Sequence, residues 1–382
     1  MTAPQGRPPE VAEILRRYAP ALDCLGSDRR RAVRDITRCR TAALGGHLHK
    51  CDACGHQVPL YNSCRNRHCP KCQNLEQARW VEQQVRDLLP VHYFHVVFTV
   101  PACLQPLFVR DRRQSYALLF AAVWETLAQV CRRRLGATPG MIAVLHTWSQ
   151  TLVFHPHVHC IVTGGGIDAS GERWIRSRPG YFLPVRVLSR VFRAKLLQAF
   201  EGAMKPPQRA WGTAILREAV SQPWVVYSKR PMSGPQQVLR YLGRYTHRIA
   251  ISNERIVSMA EGRVRFRYRD RRHGNKACIL TVTGSEFARR FLLHVLPKRF
   301  VRLRHYGLLA NAHRSARLAK ARLSLGAPID PQPLKARAES WQELYRRVTG
   351  REPDRCPVCG RGRLTIVATL APAWPVTSGR GP

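Results

Sequence analysis

Apolar positions recur at helical spacing over residues 9–18, where Val11, Ala12, Ile14, Leu15 and Tyr18 line one side. A second, very basic helix is expected through Arg38, with Ser27 as its cap. Residues 74–89 continue as a helix rich in Glu, Gln and Arg, and residues 92–100 form a buried strand ended by Pro101. The stretch 104–135 is expected as one helix, with Tyr116, Leu119, Phe120, Val123, Trp124 and Leu127 at core spacing. Strands follow over 141–148 and 154–163, then a helix over 188–200 and a strand over 224–227. Strand, helix, strand, strand predicts an α+β fold with antiparallel neighbours, not a doubly wound sheet.

Three stretches depart from ordinary core patterning. Phe154-His155-Pro156-His157-Val158-His159-Cys160 runs into Gly164-Gly165-Gly166. Strand alternation puts His155, His157 and His159 on one face and Phe154, Val158 and Cys160 on the other, towards a core. A surface strand could carry one histidine by chance, but imidazole is the commonest metal ligand and three share this face. Ser233-Gly234-Pro235 opens a helix on which Tyr241 and Tyr245, four apart, share a face among Arg240, Arg244, His247 and Arg248. Tyrosine pairs on helices mostly serve packing; the basic neighbours and the upstream histidines favour chemistry. Arg263, Arg265, Arg267 and Arg269 alternate with Val264, Phe266 and Tyr268, so one face of that strand is wholly cationic.

Charge sharpens this picture. Among 382 residues, 63 Lys and Arg face 24 Asp and Glu, a net charge of +39, which calls for a polyanionic partner. Nucleic acid fits better than a membrane, because the charge is spread along the chain. No apolar run approaches the length of a membrane span, and residues 1–7 lack the apolar stretch of a signal peptide, so a cytoplasmic (bacterial, nucleoid-associated) protein is expected.

In a reducing compartment the cysteines read as metal ligands. Five of the 13 lie between Cys51 and Cys72. The two Cys-x-x-Cys knuckles predict a zinc ribbon with Cys51, Cys54, Cys69 and Cys72 as ligands, and Arg65, Arg67 and Lys71 turned to phosphate. Cys64, His68, His47 and His49 are candidates for part of a second site. Cys356-Pro357-Val358-Cys359-Gly360 is half a ribbon, with no second pair after it, so an ion there must borrow ligands from elsewhere.

Assembled, the parts suggest strand transfer. A tyrosine oxygen can attack a phosphodiester and conserve its bond energy in a phosphotyrosine, while a divalent ion on His157 and His159 polarises the phosphate. With Phe154-His155-Pro156 before His157-Val158-His159, with Arg240-Tyr241-Leu242-Gly243-Arg244-Tyr245-Thr246-His247-Arg248, and with its cysteine-rich start, the chain resembles the rolling-circle insertion-sequence transposases. These form the two-tyrosine branch of the His-hydrophobic-His nucleases. The resemblance extends from the zinc module to about Arg314. It implies a central antiparallel sheet flanked by helices, with a small N-terminal zinc-ribbon module, Tyr241 and Tyr245 as nucleophiles, Mg²⁺ or Mn²⁺ at the histidines and Zn²⁺ at the cysteines. It also implies cleavage of single-stranded DNA through a 5′-phosphotyrosine. A third metal ligand is expected in such nucleases; Gln150, His155 and His247 are the candidates.

The expected organisation is a basic helical segment (1–45), a zinc-binding domain (46–90), a catalytic domain (91–325), and a Pro-rich linker and tail (326–382). The rival reading is a non-enzymatic zinc-finger DNA-binding regulator, which would leave the histidines and tyrosines idle. A metal-independent tyrosine recombinase is a third reading. An RNA-binding protein is disfavoured, because no aromatic motif of the RNP type occurs.

Overall fold

The computed structural model describes residues 7–23, 25–72, 87–178, 180–229, 250–270, 273–328 and 340–373. The expected helix over 74–89 lies almost wholly outside them, and the tyrosine helix and most of the Pro-rich linker also fall outside. The chain begins with α1 (Val11–Tyr18) and α2 (Ser27–Arg38), the latter preceded by Gly26, not Ser27, in the cap position. Next come β1 (Gly46–Cys51), β2 (Gln57–Tyr61), β3 (Tyr93–Thr99), α3 (Gln105–Arg110) and α4 (Arg112–Leu135). The single helix expected over 104–135 is therefore two. Asp111 sits between them with non-helical backbone, and its Oδ1 accepts from the Gln114 N–H at 2.9 Å, which favours a fresh helix start over continuation.

The chain continues through β4 (Ala137–Trp148), β5 (Phe154–Asp168), β6 (Trp174–Arg176), α5 (Val185–Ala203), α6 (Gln208–Ser221) and β7 (Val226–Ser228). Then follow β8 (Ile256–Ala260), β9 (Arg263–Asp270), β10 (Lys276–Thr283), α7 (Gly284–Leu293), β11 (Leu303–Gly307), α8 (Arg314–Ser324), α9 (Trp341–Thr349) and β12 (Leu364–Leu370).

The central sheet has the order β11-β4-β5-β3-β7, with β6 also on β5, and every pairing is antiparallel. Alternation sorts its residues. Phe94, Val96 and Phe98 of β3, Met141, Ala143 and Leu145 of β4, and Val158, Cys160 and Val162 of β5 are buried against Tyr116, Phe120 and Leu127 of α4 and Phe192 of α5. Each fully buried large side chain here contributes about 1.5–3 kcal/mol, so this face fixes the register of the whole sheet. At one end of the opposite face Tyr93, Ile142 and Ile161 pack with Leu318 and Ala321 of α8. Further along that face stand the histidines.

A second sheet, β10-β9-β8, buries Val264 and Phe266 against α1 and α7. The third sheet has the order β12-β1-β2, so the last strand of the described chain pairs with the first. This α+β architecture of antiparallel sheets flanked by helices is the expected fold class. The expected partition into a zinc-binding domain and a separate tail is crossed by the β1–β12 ladder.

Candidate functional site

The turn between β4 and β5 decides what meets the histidine strand. Its register places His146 opposite His157, Leu145 opposite Val158 and Val144 opposite His159. Cross-strand partners share a face, so His146 joins His157 and His159. Their ligand nitrogens all lie within 4.8 Å of one another, and the ring centroids of His146 and His159 are 4.5 Å apart. The turn is held from the second sheet's side. His294 Nε2 donates to the Leu152 carbonyl, Arg255 to that of Gln150 and Arg290 to that of Thr151. Leu152 has φ +62 yet is fully buried in the core beneath α7, an arrangement a non-glycine residue keeps only when its surroundings enforce it.

Outer contacts set the tautomers. His157 Nδ1 lies 2.7 Å from the His155 carbonyl, an acceptor only, so the proton sits on Nδ1 and the lone pair on Nε2. His159 Nδ1 lies 2.9 Å from Nε2 of His95, on β3. Burial first, and then the nearby Lys229 and His157, hold the His95 imidazole down at about 3, so it stays neutral and can accept from His159. Three imidazole nitrogens on two adjacent strands are a donor set that suits Mn²⁺ or Zn²⁺ better than Mg²⁺, which prefers oxygen.

Sequence reasoning missed His146. Of the third-ligand candidates, Gln150 lies in the turn and His155 is outside the converging group; His247 is outside the described residues. Turn length alone could not supply it: the five-residue turn sets Trp148 across from Phe154, and a β-bulge between His146 and Trp148 then shifts the register so that His146 faces His157. Tyr241 and Tyr245 also lie outside the described residues.

The cysteines regroup. Cys51 and Cys54 do not meet Cys69 and Cys72, so the expected four-thiol set is not formed. One cluster is Cys39, Cys64, Cys69 and Cys72, with Cys39 Sγ 3.5 Å and Cys64 Sγ 3.7 Å from Cys72 Sγ. Hydrogen bonds among the four thiols push Cys72 and Cys39 below the ordinary thiol range and Cys64 and Cys69 above it. The other cluster is Cys51, Cys54, Cys356 and Cys359. The two knuckles expected to pair are drawn apart because Cys69 is buried in the core of α1 and α2, whereas Cys51 ends a strand of the third sheet. Cys39, at the end of a basic helix, was not anticipated as a ligand, while Cys64 was a candidate for a second site. His68 belongs to neither cluster. Its Nε2 accepts from the Leu296 N–H at 3.1 Å, and burial drives its imidazole down to about 3. His47 and His49 lie on β1 outside both clusters.

The cationic residues divide similarly. Arg263, Arg265, Arg267 and Arg269 are exposed while Val264 and Phe266 are fully buried, so the alternating strand presents its arginines outward. Arg65 is exposed in the knuckle loop. Arg67 instead donates inward to the carbonyls of Phe300 at 2.5 Å and Pro297 at 2.8 Å, and Lys71 pairs with Glu10 at 2.5 Å.

Comparisons with known proteins agree with this geometry. "Putative transposase y4qJ" of Sinorhizobium fredii (strain NBRC 101917 / NGR234) is 45% identical over 381 residues, 94% of this chain and 95% of its own. "Transposase for insertion sequence element IS801" of Pseudomonas savastanoi pv. phaseolicola is 30% identical over 350 residues, 89% and 83%. The chain belongs to the insertion-sequence transposase family. A family model described as "Putative transposase" matches residues 140–317, and one described as "Transposase zinc-binding domain" matches residues 11–100. The transposase match contains His146, His157, His159, both tyrosines and the arginine strand. The zinc-domain match contains Cys39, Cys51, Cys54, Cys64, Cys69 and Cys72, but not Cys356 or Cys359. No solved structure matches the chain. Among the described residues no helix is long and apolar enough to cross a membrane.

Proposed function

We propose that this transposase cleaves and rejoins single-stranded DNA at the ends of its element and at target sites, by a rolling-circle route through a 5′-phosphotyrosine. The observation that supports this most is the convergence of His146, His157 and His159 on two paired strands of the central sheet, in a family of transposases. These three imidazoles would hold a divalent ion, Mn²⁺ being a better match than Mg²⁺. When bound, the ion would supply charge to a scissile phosphate and align it for in-line attack. His95 and the His155 carbonyl orient the rings.

Tyr241 or Tyr245 supplies the nucleophile: its phenolic oxygen bonds to phosphorus as the 3′ oxygen leaves with a proton, and a later hydroxyl reverses the step at a new junction. Arg263, Arg265, Arg267, Arg269 and Arg65 would carry the DNA backbone by phosphate contact. A Zn²⁺ ion at Cys39, Cys64, Cys69 and Cys72 would tie α2 to the knuckle loop. A cytoplasmic, nucleoid-associated setting belongs to the same reading.

The test uses 5′- and 3′-labelled single strands carrying element ends, incubated with protein and Mn²⁺. A covalent adduct carrying the DNA 5′ end, lost on EDTA and in Tyr241→Phe/Tyr245→Phe, is expected. An undiminished adduct in the double variant, or no adduct with wild-type protein under any divalent ion, sinks the reading.

A further inference from the structure

We infer that the chain binds a second structural zinc ion, at Cys51, Cys54, Cys356 and Cys359, which clasps its C-terminal tail to its N-terminal module. Two of these cysteines lie about 300 residues from the other two in sequence, yet Cys51 Sγ is 3.7 Å from Cys359 Sγ and Cys54 Sγ is 3.8 Å from Cys356 Sγ. All four sulfurs fall within 4.8 Å of one another. Four thiolates about 2.3 Å from a tetrahedral zinc would stand about 3.8 Å apart, the separation seen here.

The backbone is built for the same purpose twice. Cys51-Asp52-Ala53-Cys54-Gly55 and Cys356-Pro357-Val358-Cys359-Gly360 are knuckles of one type. In each, the glycine N–H donates to the first cysteine's carbonyl, Gly55 to Cys51 at 3.1 Å and Gly360 to Cys356 at 3.0 Å. Both glycines have positive φ, +70 and +63, which turns the chain sharply beneath the sulfurs. The Gly362 N–H points at Cys359 Sγ from 3.4 Å, the amide-to-sulfur bond that steadies a bound thiolate. The two knuckles are joined directly: Arg363 N–H donates to Asp52 Oδ1 at 2.8 Å, and the Asp52 N–H to the Arg363 carbonyl at 3.0 Å. Beyond them β1 and β12 pair from Cys51–Leu364 to Gly46–Leu370.

Packing alone gives a poor account of this convergence. Cys51 and Cys356 are buried, but Cys54 is exposed and β12 is largely exposed, so little apolar core holds the knuckles together. An ion does what that core cannot. It also explains the half-ribbon in the tail: its missing pair of ligands is Cys51 and Cys54. Cys51 and Cys54 lie within the matched zinc-binding domain while Cys356 and Cys359 lie outside it, so the site is distinct from the Cys39, Cys64, Cys69 and Cys72 cluster and makes the third sheet dependent on both ends of the described chain.

The full-length protein, purified under reducing conditions, should contain two zinc ions per chain by plasma mass spectrometry. Cys356→Ser/Cys359→Ser should contain one, and Cys359→His, which keeps a ligand, should contain two. Hydrogen exchange supplies a readout independent of zinc counting: amides of residues 364–370 should be protected in wild type and in Cys359→His, and exposed in the double serine variant. Zinc absorption fine structure on unmodified protein should show sulfur-only coordination. An unchanged zinc count in Cys356→Ser/Cys359→Ser overturns the assignment. So does finding these four cysteines as disulfides in the native protein.

Discussion

Replacing His146 with alanine isolates the histidine that the tertiary structure adds to the proposed metal site. The side chain is 3% exposed, and its ring stacks on Trp148 with centroids 4.6 Å apart, so it is already ordered for binding and contributes little entropy cost. Loss of an outer contact to a metal ligand typically costs 10- to 100-fold in affinity, and loss of one of three ligands belongs at the upper end. A shift of about 100-fold, or about 2.7 kcal/mol, is therefore expected in Mn²⁺ affinity. The assay is adduct formation on a labelled single strand, titrated with Mn²⁺. His146→Ala should need about 100-fold more Mn²⁺ for half-maximal adduct and regain much of its yield at saturation. Tyr241→Phe/Tyr245→Phe should not be rescued by any concentration. His146→Gln, which offers an amide oxygen on a similar stem, should fall between. Fold integrity is followed by thermal melting and by zinc content, which should stay at the wild-type count. A His146→Ala titration curve that overlays the wild-type one refutes the three-histidine site.

Other consequences are as direct. Because the β9 arginines are exposed, Arg265→Gln/Arg267→Gln should leave the melting temperature unchanged. It should lower the salt slope of single-strand binding by about 1.4, two phosphate contacts at about 0.7 each; an unaltered slope removes β9 from the interface. Arg67→Ala should behave oppositely, costing about 1.5–3 kcal/mol in urea unfolding with no change in salt slope, since its guanidinium is bound to two part-buried backbone carbonyls. His294, fully buried, has its imidazole driven down to about 3 by burial, so below the ordinary histidine pKa of about 6.5 only the unfolded chain takes up its proton. Stability from this residue is complete above about pH 6.5 and lost as pH falls towards 3, reaching about 2 kcal/mol at pH 5. His294→Asn should flatten the pH dependence of unfolding by one proton over that window; an unchanged slope refutes the buried neutral state.

What could be read from residues alone were features local in sequence. Period-two alternation put His157 and His159 on one face and Phe154, Val158 and Cys160 on the other, and it turned Arg263 to Arg269 outward, because a strand's pleat is a property of consecutive residues. Knuckle spacing marked Cys51, Cys54, Cys69 and Cys72 as ligands for the same reason. The partners of these features came from elsewhere in the chain. His146 reaches His157 through a turn whose register is enforced by Arg255, Arg290 and His294, over 100 residues downstream. Cys51 and Cys54 meet Cys356 and Cys359 through a ladder between the first and last strands, and Cys39 meets Cys72 because α2 packs on the core that buries Cys69. Arg67 has the residue type and knuckle position of a phosphate contact, but the backbone carbonyls of Pro297 and Phe300 hold its guanidinium. Residue type and spacing determined which side chains could do chemistry. Pairing register and core burial, which sum contacts between distant segments, decided which of them meet.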